Sequence, residues 1–408
     1  MENITSRILK FNESRTEPTL SLKYDVMTES LFRFYRGTNH IFFEDLASLE
    51  DIPASPVSLI CGDLHLENFG SFKGDNRQVY FDLNDFDEAL VAPAIWELYR
   101  MVTSIFVAFE SLDIEEKKAV HMAELFLKIY GEVLSKGKAD YIEPNTAQGI
   151  VRDFLTSVSK RKQKDILEKR TTLNKNKLEI LLDDPRHREL NKNEKYHLMA
   201  HITEWLKHDG ASPYNYKVID AVFRIAGTGS LGVKRYAVLL KSLNETGEKY
   251  LLLDMKQATP SCLQPLLHQK QPEWENEAER VVTIQRIMQN RSPALLSRTF
   301  YRDQDFMIEE IQPVKDKINF KLVKKDYRNM CRVVMDMATL TASSQLRSAG
   351  RMGASLPEAF MEFGKDKTWR SEVLKYAMRY AHVFKGDFEN YKKDYKKGLL
   401  KESSAVSA

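Results

Sequence analysis

The stretch Cys61-Gly62-Asp63-Leu64-His65-Leu66-Glu67-Asn68, followed by Asp82-Leu83-Asn84-Asp85-Phe86-Asp87-Glu88, decides how this chain is read. An Asp with an Asn five positions later, then a strand ending in acids, is the arrangement of a phosphoryl-transfer catalytic loop. The Asp can accept a proton from an attacking hydroxyl, and the Asn with a later Asp can hold Mg²⁺ against nucleotide phosphates. On that reading Asp63 is the base, Asn68 and Asp85 are metal ligands, and Asp87 and Asp82 stand in reserve. Mg²⁺ prefers oxygen donors and needs only one or two carboxylates beside the phosphates, which suits this set. The competing reading is a turn rich in Asp and Asn that only caps backbone groups. Two such segments, each at the end of an apolar run, argue against it. His65 is expected to shape the loop or touch phosphate rather than bind metal.

Working outward, Val57 to Cys61 reads as a strand entering the first loop, and Val79 to Leu83 as a strand entering the second. Ser30 to Leu49 reads as a helix, a break at Arg36-Gly37 and a second helix. Pro93 to Glu110 has Ile95, Leu98, Val102, Ile105, Phe106 and Phe109 on one helical face. Helical patterns are predicted over Glu115 to Leu134, Thr146 to Leu182 and Glu194 to His208. The polar segment Asp183 to Asn193, with Pro185, reads as an exposed connection. Further helices are predicted over Glu273 to Gln289, Tyr327 to Leu346 and Thr368 to Val383, and a strand over Phe306 to Ile311. The polar tail from Lys401 to Ala408 is expected to fray.

The period changes near Ala221. Gly227-Thr228-Gly229-Ser230-Leu231-Gly232 is followed by Val233 to Leu240, a turn at Asn244-Glu245-Thr246-Gly247, and Tyr250 to Lys256. A dinucleotide fingerprint should open a helix, whereas these glycines join two strands. That is the geometry of a phosphate-covering flap, in which Gly227, Thr228, Gly229, Ser230 and Gly232 bring backbone close to a nucleotide. A plain hairpin turn is the bland alternative. Lys256 ends the next strand, where a phosphate-binding lysine is expected, and Glu279 is its favoured helix partner, with Glu277 next. Two weaker features take ordinary readings. His197 and His201 lack the glutamate of a zinc-protease helix. Lys160-Arg161-Lys162-Gln163-Lys164 is a solvated helix face, with docking of an anionic substrate as the alternative.

Composition agrees with a soluble globular protein large enough for two lobes: 408 residues, 43% apolar and 29% charged. The 61 basic and 58 acidic residues leave +3, so nothing in the bulk charge calls for nucleic acid. Three scattered cysteines, Cys61, Cys262 and Cys331, suggest neither a disulfide framework nor structural zinc. With no signal-like start and no run of the roughly 20 apolar residues that spans a bilayer, the cytoplasm is the expected compartment and no membrane is expected as partner.

Taken together, these motifs resemble the uncharacterised bacterial family catalogued as domain of unknown function 2252, a distant relative of aminoglycoside phosphotransferases and protein kinases. The resemblance runs through Phe34-Tyr35-Arg36-Gly37, the Cys61 to Gly70 stretch, Asn84 to Glu88, the Gly227 to Gly232 loop, Lys256 and Arg280-Val281-Val282. It implies an α+β, two-lobed, kinase-like fold binding ATP and Mg²⁺ and acting on an unidentified hydroxyl acceptor. Kinase-like relatives usually carry His where Cys61 stands, which leaves open how this loop is braced. The order also departs from that of kinase-like relatives, because the Gly-rich loop, lysine and glutamate helix follow the catalytic segment. A circular permutation accounts for this, as ends that lie close at the surface can be rejoined. The expected layout is a helical large lobe from 1–213 and 313–408, with a β-rich nucleotide lobe over 214–312. A nucleotide-binding pseudokinase, a two-metal phosphoesterase and nucleotidyl transfer on the same fold are the competing readings.

Overall fold

The computed structural model describes residues 3–15, 19–183, 186–227, 229, 231–244, 249–324 and 326–400. Thr228, Ser230, Pro185, most of the turn after Asn244 and the tail from Lys401 lie outside the described residues.

The chain opens with helices α1 (Ile4–Asn12), α2 (Thr19–Met27), α3 (Leu31–Gly37) and α4 (Asn39–Ala47). Strands β1 (Val57–Ile60), β2 (Phe69–Lys73), β3 (Val79–Leu83) and β4 (Leu90–Pro93) follow as two antiparallel pairs, β2–β3 nested between β1 and β4. Next come α5 (Ala94–Ser111), α6 (Glu116–Lys136), α7 (Gly149–Ser159) and α8 (Gln163–Arg170). A hairpin of β5 (Thr171–Asn174) and β6 (Lys177–Ile180) leads to β7 (His187–Arg188) and α9 (Lys192–His208). After these lie β8 (Tyr216–Arg224), β9 (Arg235–Ser242), β10 (Tyr250–Gln257), α10 (Glu277–Met288), β11 (Ser297–Tyr301) and β12 (Gln304–Glu310). Helices α11 (Phe320–Val323), α12 (Tyr327–Ser348), α13 (Pro357–Lys365) and α14 (Thr368–Lys396) complete the α+β fold. No helix among the described residues is long and apolar enough to cross a membrane.

The main core is helical. Every residue of α5 from Ala94 to Phe109 is buried, as expected of a helix enclosed on all sides. Helix α14 extends well past the expected Val383 because Tyr380, Phe384, Phe388 and Tyr391 keep one buried stripe going. That stripe grips α3 and α4, with Phe384 5.0 Å from Phe34 and Tyr380 5.1 Å from Phe42, ring centre to centre. Each such aromatic contributes about 1.5–3 kcal/mol by leaving water. The same packing fixes α3, which carries Tyr35 and Arg36 into the site described below.

The second unit is an antiparallel sheet ordered β11-β12-β10-β9-β8-β7. Strand alternation gives it two different faces. Tyr236, Val238, Leu240, Leu251, Leu253 and Met255 pack with Leu198, Ile202 and Trp205 of α9. Ala237, Leu239 and Leu252 point the other way, against Ile166 and Ile180. Lys256 and Asp254 share the parity of Leu252, so both lie on that second face.

Two expectations change. The helix predicted across Thr146 to Leu182 breaks after Arg170 into the β5–β6 hairpin. Its turn residues Lys175 and Asn176 have φ of 46° and 63°, the paired left-handed conformation of a tight hairpin turn. The boundary expected at 213/214 also moves, because β7 pairs with β8 and α9 packs on the sheet, so both join the β-rich unit.

Candidate active site

Nesting one antiparallel pair inside another brings the two acidic loops together. With Ile60 opposite Leu90 and Phe69 opposite Leu83, residues 61–68 and 84–89 emerge side by side. Gly62 makes their close approach possible. Its φ is +81°, and a Cβ there would stand 2.2 Å from the Glu88 carbonyl oxygen. Asn68 ties the loops together. Its amide nitrogen donates to the Asp63 and Asp85 carbonyls, 3.1 Å each, and its oxygen accepts from the Asn84 and Asp85 backbone N–H groups at 3.1 and 2.8 Å. Asn68 was expected as a metal ligand. Here both lone pairs of its oxygen serve backbone N–H groups, so it acts as a clamp that positions Asp63 and Asp85.

Asp63 is held at one oxygen and open at the other. Arg100 donates through Nε to Oδ1 at 2.9 Å, while among the described residues Oδ2 has only the His65 ring, at 4.0 Å. Arg100 is fully buried, stacks 3.5 Å from the Tyr35 ring centre and donates to the Tyr35 carbonyl at 2.8 Å. Burial pushes the Asp63 carboxyl up to about 6, against the opposing pull of Arg100. Beneath the loop, Glu97 accepts the Cys61 backbone N–H at 2.7 Å and the Gln345 amide at 2.8 Å. Glu97 therefore braces this loop through its backbone, which answers the question that Cys61 raised.

Lys256 reaches across from the sheet. It is 8% exposed, and its amine pairs with Asp87 Oδ2 and lies 3.5 Å from Asp85 Oδ1. Burial works against its charge, but Asp85 and Asp87 outweigh burial and raise its pKa. Glu279, the expected partner, is engaged elsewhere. It accepts the Glu275 backbone N–H at 2.6 Å and lies 3.5 Å from Arg298, while Glu277 pairs with Arg280 at 2.7 Å. Asn276 caps the first turn of α10 by accepting the Glu279 backbone N–H at 2.8 Å, and the ion pairs of Lys256 among the described residues are with Asp85 and Asp87, not with these glutamates. Arg280 of the same helix joins the two units through backbone. Its guanidinium donates to the carbonyls of Asp87 at 3.0 Å, Thr259 at 2.9 Å and Ala89.

Three cavities with shared wall residues surround this centre. One of about 50 Å³ is lined by Asp63, Asp85, Asp87, Gly229, Lys23 and Arg15. A second of about 180 Å³ runs under the sheet past Asn68, Asp85, Gly227, Lys256 and Asp254. A third of about 530 Å³ opens at the front, with Phe32, Leu66, Leu112, Ile225, Leu231 and Phe320 giving it apolar walls. Gly227 and Gly229 thus line cavities whose other walls come from the acidic loops. Gly232 has φ +93° and lies against Arg15, which would stand 2.7 Å from a Cβ there. The sheet-side cavity is ionised: Asp254 pairs with Arg224 and Arg235, Glu309 with Lys315, and Glu67 with Arg36 at 2.6 Å.

The oxygen donors suit a divalent cation. Asp85 and Asp87 offer carboxylates, and the buried Oδ1 of Asn84, in the same cavity, has no hydrogen-bond partner among the described residues. No group of three or more His, Cys, Asp or Glu residues fit to hold a metal occurs among the described residues, so ligand oxygens would have to complete the shell.

Sequence reasoning missed the basic residues that organise the site: Arg15, Lys23, Arg36, Arg100 and Arg280. Arg36 and Arg280 lay inside segments already singled out. Arg100 sits mid-helix with nothing local to mark it. The chain belongs to the family described as "Uncharacterized protein conserved in bacteria" (DUF2252), whose model matches residues 15–394. No curated protein and no solved structure matches it.

Proposed function

Proceeding from that membership and this geometry, we propose that the protein is an ATP- and Mg²⁺-dependent phosphotransferase with a circularly permuted, kinase-like fold, acting on a hydroxyl acceptor. The observation that carries the reading is Lys256, a buried cation presented by the sheet to Asp85 and Asp87 beside Asp63. A lysine, a glycine-rich loop and a carboxylate base around one cavity match what transfer of a phosphoryl group needs: positioning and charge neutralisation.

In this mechanism Lys256 exchanges its carboxylate contacts for the α- and β-phosphates. Gly227 and Gly229 cover the phosphates with backbone. Asp85 and Asp87, with Asn84, would hold Mg²⁺, which when bound neutralises charge on the β- and γ-phosphates. Asp63 takes the acceptor's proton on the open Oδ2 as the new O–P bond forms and the bond to the β-phosphate oxygen breaks, releasing ADP. Arg100 keeps the carboxylate aimed, and Asn68 keeps Asp63 and Asp85 in register.

The ionised lining of the sheet-side cavity favours a second reading. A purine normally enters an apolar slot under such a sheet, and here Asp254, Arg224 and Arg235 occupy that face. The apolar walls belong instead to the larger front cavity. A nucleotide lying in the reverse sense would present its α-phosphate to the centre and transfer AMP. Mg-ATP binding and turnover in wild type, Asp63→Ala and Lys256→Met test the main reading, with γ- and α-labelled ATP run in parallel. Label retained from the γ-position supports phosphoryl transfer, and label retained from the α-position supports nucleotidyl transfer. Absence of Mg-ATP binding in wild type contradicts both.

A further inference from the structure

The smallest of the three cavities contains a charge that the mechanism does not use. Lys23 of α2 is 1% exposed. Its amine has three protons to donate, and its one hydrogen-bond acceptor among the described residues is Asn12 Oδ1 at 2.8 Å. No carboxylate of the described residues lies within ion-pair distance of it. Every acid on the cavity wall is engaged elsewhere: Asp63 with Arg100, Asp85 and Asp87 with Lys256, and Glu88 with Ser261 and the Cys262 backbone N–H.

Arg15 stands beside it in the same state. Its guanidinium donates to the backbone carbonyls of Gly229, at 2.7 Å, and Leu231, and has no carboxylate partner among the described residues. Both cations lie over the face of Phe11, at 5.5 Å for Arg15 and 5.6 Å for Lys23. The same wall holds two more buried atoms with no hydrogen-bond partner among the described residues, Arg36 Nε and Asn39 Oδ1. Buried charges in proteins are normally paired. Burial lowers the pKa of both groups, and Glu88, which acts on both, and Asp87, which acts on Arg15, form an ion pair with neither. Two adjacent basic groups with no ion-pair partner among the described residues, opening on a polar cavity beside a candidate base, indicate that the missing partner is a ligand. A cavity of about 50 Å³ admits one compact group and not a sugar or a base.

We propose that Lys23 and Arg15 form an oxyanion subsite beside Asp63 that takes a single phosphate-type group. The proposal rests on the phosphotransferase reading only for its choice of anion. Two sources share this chemistry: the terminal phosphate of the nucleotide, and an anionic group on the acceptor. Arg15 also grips the tip of the Gly-rich loop, so an anion bound here joins the N-terminal segment to that loop.

The test uses the full-length protein, with inorganic phosphate, Mg-ADP and Mg-β,γ-imido-ATP as separate titrants, in wild type and Lys23→Met. Met keeps the length of the buried stem and removes the charge, so the variant should fold and melt no lower than wild type. Wild type is expected to bind inorganic phosphate, and Lys23→Met to bind it about tenfold or more weakly. An equal loss for the imido-ATP but not for ADP assigns the subsite to the nucleotide's terminal phosphate. A loss for inorganic phosphate alone assigns it to the acceptor, and if no nucleotide binds at all the subsite stands while the phosphotransferase reading falls. Unchanged affinity of Lys23→Met for all three titrants, or no phosphate or nucleotide binding by wild type, overturns the proposal.

Discussion

Lys256 and Asp87 close an ion pair between the sheet and the acidic loop, although 169 residues separate them in the chain. It places a cation from the sheet among the carboxylates of the acidic loop. Lys256→Met should leave Asp85 and Asp87 repelling each other without their cation. A double-mutant cycle with Asp87→Asn, read by urea unfolding, should give a coupling of about 1–3 kcal/mol. Additive effects of the two changes would show that the pair contributes nothing.

Arg280 donates to three carbonyl oxygens drawn from two loops. Arg280→Leu should therefore cost about 2–4 kcal/mol, because it strands buried acceptors as well as Glu277. Amide exchange should accelerate most at residues 86–90 and 258–260. Uniform acceleration across the protein would mean that Arg280 is a general core residue with no special hold on the acidic loop.

Gly62 predicts a sharper failure. Gly62→Ala meets both a left-handed φ of +81° and a carbonyl at 2.2 Å, so a loss of at least about 2 kcal/mol is expected. Gly210→Ala serves as control, since nothing lies within 4 Å of a Cβ there. Equal melting shifts in the two variants would contradict the close loop packing.

Asp63 sets a pH dependence. Its folded pKa is about 6, above the free-chain value of about 3.9, so the carboxylate form that can accept a proton grows as pH rises through 6. Turnover should rise tenfold per pH unit below about pH 6 and level off above it. A profile flat between about pH 5 and 7 would remove Asp63 as the base.

Asp254 shifts the other way. Burial disfavours its charge, but Arg224 and Arg235 overcome that and hold its pKa below the ordinary carboxylate range. A depressed folded pKa gives stability that is present above the unfolded value and lost as pH falls towards the folded one. Asp254→Asn should cost about 3–5 kcal/mol near neutral pH by leaving two buried guanidinium groups uncompensated. That deficit should shrink as pH falls below about 4. A deficit independent of pH would point to lost shape complementarity instead of charge.

Much of this arrangement was legible in the chain because its signals are local. The Cys61–Asn68 and Asp82–Glu88 segments each follow an apolar strand, and the glycines of 227–232 lie between two β-rich runs. Lys256 stood out because it ends the strand that follows the Gly-rich hairpin. What could not be read depends on contacts distant in sequence. Asn68 carries the right residue type for a metal ligand, yet pairing of β2 with β3 spends its oxygen on backbone N–H groups. Glu279 was a reasonable partner for Lys256, yet the fold pairs that lysine with Asp85 and Asp87 instead. Lys23 lies in the short helix α2 and Arg15 in the segment after α1, neither with a motif, and only the folded chain brings them to the cavity of Asp63.

The central claim is that Asp63 performs base chemistry on a nucleotide held between Lys256 and the acidic loops. It is tested most directly by ³¹P NMR of Mg-ATP consumption in wild type and Asp63→Asn, with ATP affinity measured alongside. The account predicts that the variant binds Mg-ATP as wild type does and turns it over about 10²–10⁴-fold more slowly. Equal turnover by the two proteins, or no consumption of ATP by wild type with any hydroxyl acceptor, would contradict it.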